Sequence, residues 1–481
     1  MFMKFSDLKL TTPYLELPEL FYDLVEPMPL QKPYVMATSP ACAELLGVDE
    51  DLDRDEKLLS IVNGSEKLEG SKTFAMCYAG HQFGYFVPRL GDGRALNLGK
   101  VNGQNLQLKG SGLTLYSRRG DGRAVKRSSI REFLMSEAMH GLGIATSRAL
   151  ALIGSDTDVA RESLEKGAIV LRVSPTWIRF GTFEYFKTRR KYEKLQLLAD
   201  YVIEESFPEL QDHEEKYFKM FSKIVENSAK TVARWQSVGF NHGVMNTDNM
   251  SIDGRTIDYG PYAMLDDYEA NYICNHTDVE GRYSFKNQPS IMQWNLSVLA
   301  NALSPMVNII KMSKLVEKDF ISIYESEYLE LMKNKMGLFE EDENDIPLIR
   351  WMLGSLESSV VDYSRFFRTL STYDGDKSEI LALCEYETPL KEWLEGYDER
   401  VQKEQLSQQK RSKKMLQTNP KFVLKNHLLQ EAIEKEEEGD FRMIEDLLKV
   451  ALDPFSEHEE LEYLNIPTPP RSKNLKLSCS S

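Results

Sequence analysis

The sequence predicts an α+β chain of two lobes: a small strand-rich lobe carrying one helix, then a larger helical lobe. Three observations predict it. Alternating apolar patterns with Gly-rich turns concentrate between residues 76 and 112 and return near 168–175. A long amphipathic stretch, EKYFKMFSKIVENSAKTVARWQSVGF (215–240), then opens a helix-dominated region. Beyond about 290 the pattern is almost wholly helical, with acidic solvated faces such as EAIEKEEEGDF. A chain of 481 residues is long enough for two to four packed units.

The elements follow in order. Residues 1–75 mix short helical runs with Pro-rich connections (PELFYDLVEPMPLQKPYV). YFVPRLGDGRALNLGKV and NLQLKGSG read as strands joined by a tight turn at Asn102-Gly103. RSSIREFLMSEAMHGLG (127–143) reads as a helix with Ile130, Phe133, Leu134, Ala138 and Leu142 on one face. A strand pair around AIVLRVSP follows. The amphipathic stretch buries Phe218, Phe221, Ile224, Val225, Val232 and Trp235 and delivers the polar loop HGVMNTDNMSIDGRTIDYGPY (242–262). The end, NIPTPPRSKNLKLSCSS, is too Pro-rich and polar for a helix and reads as an extended tail.

The totals exclude several classes. Net charge is −16, against general nucleic-acid or anionic-membrane binding. No apolar run of 18 residues is present, so no membrane span is expected. The first residues carry no signal or transit pattern, which points to the cytoplasm. Cys42, Cys77, Cys274, Cys384 and Cys479 form no CxxC pair, so a structural zinc site is not expected.

Chemistry concentrates in a few places. Asp248-Asn249 and Asp258 supply hard oxygen ligands for a divalent cation, and Asp248 can accept a proton from a hydroxyl; the same residues could instead only fill polar turns. Lys109 on a strand needs an anionic partner if it points inward. Glu132 could be that partner, or could cap its helix through a Ser129-x-x-Glu132 box. GDGR (91–94) could cradle a phosphate or be a plain hairpin turn, and RRGDGR (118–123) repeats it. Lys109, Arg118, Arg119, Arg123, Lys126, Arg127 and Arg131 face one acid, Asp121, across 109–131; this excess fits a polyphosphate site. Arg172 and Arg179 add two forked donors, although a lone surface arginine is often only an ion pair of little energy. The order of Gly turn, strand Lys, helix Glu, Asp-Asn and Asp-Tyr-Gly is kinase-like.

The stretches YAGHQFGYFVPRLGDGRA (78–95), LQLKGSGLTLYSRRGDGRAVKRSSIREFLMSEAMHGLGI (106–144), LRVSPTWIRFGTFE (171–184), HGVMNTDNMSIDGRTIDYGPYAMLDDY (242–268), NHTDVEGRYSFKNQP (275–289) and the terminal CSS together resemble the selenoprotein O family over essentially the whole chain. The resemblance implies a two-lobed protein-kinase-like fold with an N-terminal extension (1–75), an N-lobe (76–180), a C-lobe with the catalytic loop (181–310), a helical C-terminal extension (311–465) and a flexible tail (466–481). It implies a protein adenylyltransferase that moves AMP from ATP, or UMP from UTP, to Ser, Thr or Tyr hydroxyls, with the nucleotide reversed relative to a kinase. Lys109, Arg172 and Arg179 match phosphate-binding positions, and Glu132 the lysine's partner. Gly91, Gly93, Arg94, Asp121 and Gly122 match further nucleotide contacts. Asp248 matches the base, and Asn249 and Asp258 the ligands of Mg²⁺ or Mn²⁺; Asp258 also counts among the ATP-binding positions. Cys479 stands where some members carry selenocysteine; a Cys274–Cys479 disulfide would tether the tail, the alternative being two unrelated thiols in a reducing cytosol. The expected partners are protein substrates, with no nucleic acid and no membrane, and the protein is expected to be monomeric. The rival readings are a kinase moving the γ-phosphoryl group, a silent ATP-binding scaffold and a redox-sensing thiol protein.

Overall fold

The computed structural model describes residues 3–473 together with Leu475 and Leu477. Strands gather in the first third of the chain: β1 (Tyr22–Leu24), β2 (Tyr34–Thr38), β3 (Phe74–Met76), β4 (Gly80–Gln82), β5 (Tyr85–Val87), β6 (Ala95–Val101), β7 (Gln104–Lys109), β8 (Ala124–Val125), β9 (Arg148–Ala160) and β10 (Leu164–Ser174). Antiparallel pairing orders the main sheet β1-β3-β6-β7-β10-β9-β2, with β8 also on β10. The segment expected as an N-terminal extension (1–75) thus supplies β1, β2 and the start of β3. The β6–β7 hairpin turns at Asn102 and Gly103, both left-handed at φ 49° and 77°, as an Asn-Gly turn requires.

Alternation along the central strands gives the sheet two faces. Leu96, Leu98, Leu106, Leu108, Ile169 and Leu171 pack with α1 (Pro40–Leu46) and α2 (Leu58–Val62) in one cluster. Val170 and Leu152 face the other way, toward α3 (Lys126–Gly141). Burying one such leucine or valine contributes about 1.5–3 kcal/mol. Lys109 pairs in register with Val170, and Arg172 with Gln107, so these polar residues share the α3 face.

Helix α3 departs from expectation. Its capping position is Val125, and Ser129 lies inside the helix, so no Ser129–Glu132 box forms. Residues 129–139 are buried all round rather than on one face, because α15 packs on the side away from the sheet. The charged residues inside it find partners. Arg131 donates to Tyr262 O (2.9 Å) and Asn426 Oδ1 (3.1 Å), and Glu137 accepts a fork from Arg148 (2.8 and 2.6 Å).

The helical lobe begins with α4 (Phe180–Thr188), α5 (Tyr192–Ser206) and α6 (Lys216–Val238). Helix α6 leads into β11 (Phe240–Asn241), which pairs with β12 (Ala263–Met264) to close the polar loop between them. Then come α7 (Gln288–Leu303) and α8 (Ile309–Met336), packed on α6. The remainder is α9 (Asp345–Ser359), α10 (Tyr363–Leu370), α11 (Ser378–Leu381), α12 (Glu387–Val401), α13 (Gln408–Leu416), α14 (Asn426–Glu437) and α15 (Arg442–Leu452). Among the described residues no helix is long and apolar enough to cross a membrane.

Candidate active site

Three cations and two carboxylates meet under the sheet. Lys109 Nζ pairs with Glu132 Oε2. Arg172 bridges Glu132 Oε1 and, at 3.1 Å, Asp258 Oδ1. Arg179 pairs with Asp258 Oδ2 and donates to the backbone oxygen of Asp248 at 2.7 Å. Glu132, Arg172 and Arg179 are all buried. Burial pulls the Lys109 pKa down to about 8, against the pull of Glu132 and aided by Arg172. Burial pushes Asp258 up, but Arg179, Arg172 and Lys109 together hold it well below the usual carboxylate range. The arginine Nε atoms of both Arg172 and Arg179 are buried without a hydrogen-bond partner. Such donors suit an anion with several oxygens.

The polar loop between β11 and β12 is pinned by His242, whose Nε2 lies 3.2 Å from Ile257 O. Burial lowers its pKa to about 4, so it is neutral at physiological pH. Asp258 sits at φ 58°, a left-handed conformation that Asp tolerates better than most residues. Asn249 Nδ2 donates to Val244 O at 3.0 Å, which turns its Oδ1 the other way. Among the described residues no three His, Cys, Asp or Glu cluster as metal ligands. Asn249 and Asp258 are two hard oxygen donors, the usual protein share of a magnesium site completed by phosphates and water; the donor set fits such an ion.

Asp248 stands apart from the cation network. Its Oδ2 accepts from Gln82 Nε2 at 3.1 Å, and its Oδ1 is buried with no partner. Burial raises its pKa to about 7, although Gln82 and Arg179 oppose the shift. The β4–β5 hairpin lies directly on this carboxylate: a Cβ added to Gly80 would come 2.6 Å from Asp248 Oδ1. His81 N donates to Thr247 Oγ1 at 2.7 Å, and the His81 ring meets Glu184 Oε2 at 2.5 Å. Gln82, His81 and Glu184 lie in quoted motifs, yet periodicity gives them no role; only the fold brings 80–82 to 247–248. Asp92, inside GDGR, likewise carries no separate signal in the sequence. It is buried, accepts from Met76 N at 2.9 Å, and is raised by burial to about 6 despite Arg179.

The structure brings Lys109, Glu132, Arg172, Arg179, Asp248, Asn249 and Asp258 together. Gly91 is left-handed at φ 97°, and a Cβ there would strike the Tyr116 ring at 2.3 Å; one on Gly93 would meet Tyr116 O at 2.8 Å. These two therefore shape the turn. Arg94 is exposed, and its carbonyl accepts from Gly110 N at 2.7 Å. Asp121 is exposed and forked to Arg161 at 2.8 and 3.0 Å, and Gly122 packs against Gly112 O; neither joins the buried network. The basic excess of 109–131 is a correction. Lys126 pairs with Glu436 and Arg127 with Glu165, and Arg131 bonds neutral groups beside α3, so part of the charge assigned to polyphosphate is held by structural partners. Cys274 is buried beside Asn275, which bridges in parallel to Leu477. Cys479, expected to pair with it, lies outside the described residues.

Residues 4–451 match the family described as protein adenylyltransferase SelO. The chain is 44% identical over 497 residues to a protein nucleotidyltransferase YdiU of Vibrio vulnificus, covering 99% of both chains. It is 45% identical over 483 residues to the like-named protein of Aliivibrio salmonicida, and 44% over 488 residues to that of Pseudomonas aeruginosa, again covering 99% of each. The chain belongs to the SelO family of protein adenylyltransferases.

Proposed function

We propose that this nucleotidyltransferase binds ATP with the β- and γ-phosphates among Lys109, Arg172 and Arg179, and transfers AMP to a Ser, Thr or Tyr hydroxyl of another protein. The observation that carries this reading is the placement of Asp248. It is a buried carboxylate with one unpartnered oxygen, joined through its own backbone to Arg179 and through Gln82 to an open hairpin. A base so placed sits between a phosphate cradle and a surface where a protein can approach.

The acceptor oxygen bonds to the α-phosphorus, and its proton passes to Asp248. The bond from the α-phosphorus to the bridging oxygen breaks, and pyrophosphate leaves with the electron pair. The lysine and two arginines face the charge that grows on pyrophosphate and are held in place before it arrives. Asn249 and Asp258 would hold Mg²⁺ or Mn²⁺, which supplies positive charge against the phosphate oxygens. Kinase-type transfer leaves the cation cradle without a role for its depth, since a γ-phosphoryl donor would need to present that end to Asp248.

The test uses ATP labelled at the α- or the γ-phosphate, with either metal and with Asp258→Ala as control. Label on protein from α-ATP alone, lost in the variant, is the expected result; label from γ-ATP alone would establish a kinase instead. Labelled UTP in parallel reads the base preference. The tail enters the same reading: Leu477, two residues before Cys479, lies against Asn275 and accepts from His276 N at 3.0 Å, which supports a Cys274–Cys479 disulfide. Non-reducing peptide mass spectrometry after oxidation that found only thiols at both positions would remove it.

A further inference from the structure

The hairpin that lies on Asp248 also walls an open groove of about 540 Å³. One wall is the turn Phe83–Tyr85; the other is the segment carrying Glu280 and Arg282. Arg282 is the groove's distinctive group. Its guanidinium stacks 4.7 Å from the Trp294 ring centroid and 5.8 Å from that of Tyr283. Gly84 sits over it at φ 85°, where an added Cβ would come 3.4 Å from Arg282 Cζ. Its Nε is buried with no hydrogen-bond partner, and among the described residues it forms no ion pair. Glu280, the acid in the groove, is exposed and does not bridge to it. A guanidinium held over an indole and free of an ion pair can still receive a carboxylate.

The groove is joined to the reacting site. The Tyr283 hydroxyl, beside Arg282, accepts from Phe83 N at 2.9 Å and donates to Asn246 Oδ1 at 2.7 Å. Asn246 lies two residues before Asp248, and Gln82, next to Phe83, touches the Asp248 carboxylate. Tyr85 is 80% exposed and Phe86 37% exposed at the hairpin's outer edge. Flat aromatic surface beside a polar slot suits an extended polypeptide.

We propose that this groove docks the acceptor polypeptide and that Arg282 reads an Asp or Glu side chain flanking the modified hydroxyl. The proposal rests on the protein-modifying reading above, but binding can be measured without turnover. Fluorescent peptides carry one Ser, Thr or Tyr, with Glu or Gln placed at successive positions on either side. Their affinity for the full-length protein is read by polarisation with ATP and metal present, alongside AMP transfer from α-labelled ATP. For the best-placed Glu, wild type is expected to bind about tenfold more tightly than for Gln, the scale of a hydrogen bond to a charged group. Arg282→Gln should erase that difference, and Arg282→Lys should restore part of it. Both variants should keep the wild-type affinity for ATP, which also shows that they fold. Equal binding of Glu and Gln peptides by wild type at every position, no peptide binding at all, or a preference that survives Arg282→Gln would overturn the proposal. Acid-selective binding with no label from α-ATP would instead overturn the adenylyl-transfer reading and leave the docking site standing.

Discussion

The two sides of Asp248 are built in opposite ways. On the phosphate side every charged head is engaged: Lys109 with Glu132, Arg172 with Glu132 and Asp258, Arg179 with Asp258. On the acceptor side one amide, from Gln82, touches the base, and beyond it lies an open groove with an arginine lacking any ion-pair partner among the described residues. The difference teaches what each side must recognise. A triphosphate is one chemical object, so a rigid, desolvated cradle can be set in advance. Acceptor proteins vary in shape, so that side keeps a short hairpin and a wide slot.

The sharpest way to break the comparison is to remove the group on the boundary. Asp248→Asn keeps shape and burial but cannot take the proton. AMP transfer should fall by roughly 10²–10⁴-fold, while ATP affinity measured by calorimetry stays within about threefold. An equal loss in both would mean that Asp248 belongs to the phosphate side.

Next in size is Glu132→Gln. It leaves Lys109 and Arg172 buried with one carboxylate fewer, and stranding a buried charge costs about 3–5 kcal/mol. The unliganded protein should melt several degrees lower. ATP supplies the missing negative charge, so the thermal shift on adding ATP should be larger than in wild type. An unchanged shift would show that the cradle is not balanced by its own carboxylates.

A pH series loosens both sides at once through His242, which ties the two arms of the loop. Its pKa falls from 6.5 to about 4 because burial disfavours the charged ring. His427, in α14, falls to about 4 for the same first reason, aided by Lys425. For a group depressed on folding, the unfolded chain takes up the proton first. The share of stability contributed by these two imidazoles is therefore complete above pH 6.5 and declines as pH drops toward 4, while Asp248 and Asp92, raised by burial to about 7 and about 6, take up protons in the folded state over the same range and offset part of that decline. Urea midpoints at pH 7.5 and 5 check this, and the slope should flatten in His242→Asn.

The sequence made one side of this comparison far more legible than the other. Lys109, Glu132, Asp248, Asn249 and Asp258 stand in a readable order because strand, helix and loop periodicity place each on its element. The helical reading of 127–143 was right in kind, but α15 covers the supposedly exposed face of α3, a contact between segments 300 residues apart that no local pattern carries. The same distance hid the partners of Lys126 and Arg131 and made a structural set of charges resemble a phosphate site. Asp92 is masked by its two glycines, whose signal is a backbone turn rather than a side-chain charge.

Gln82 is the smallest test and the most local. Its amide is the sole side-chain donor to Asp248 among the described residues. Gln82→Glu keeps the volume, removes the donor and sets a second carboxylate against the first. If Gln82 only fills space in the hairpin, this variant should turn over as wild type does. If it aims the base, kcat should fall about tenfold, since small misplacement of a catalytic group is costly. KM for ATP should hold, because none of the three phosphate-side cations touches Gln82. A rise in KM for ATP with unchanged kcat would mean that the hairpin senses the nucleotide, and the two sides would then have to be described as one.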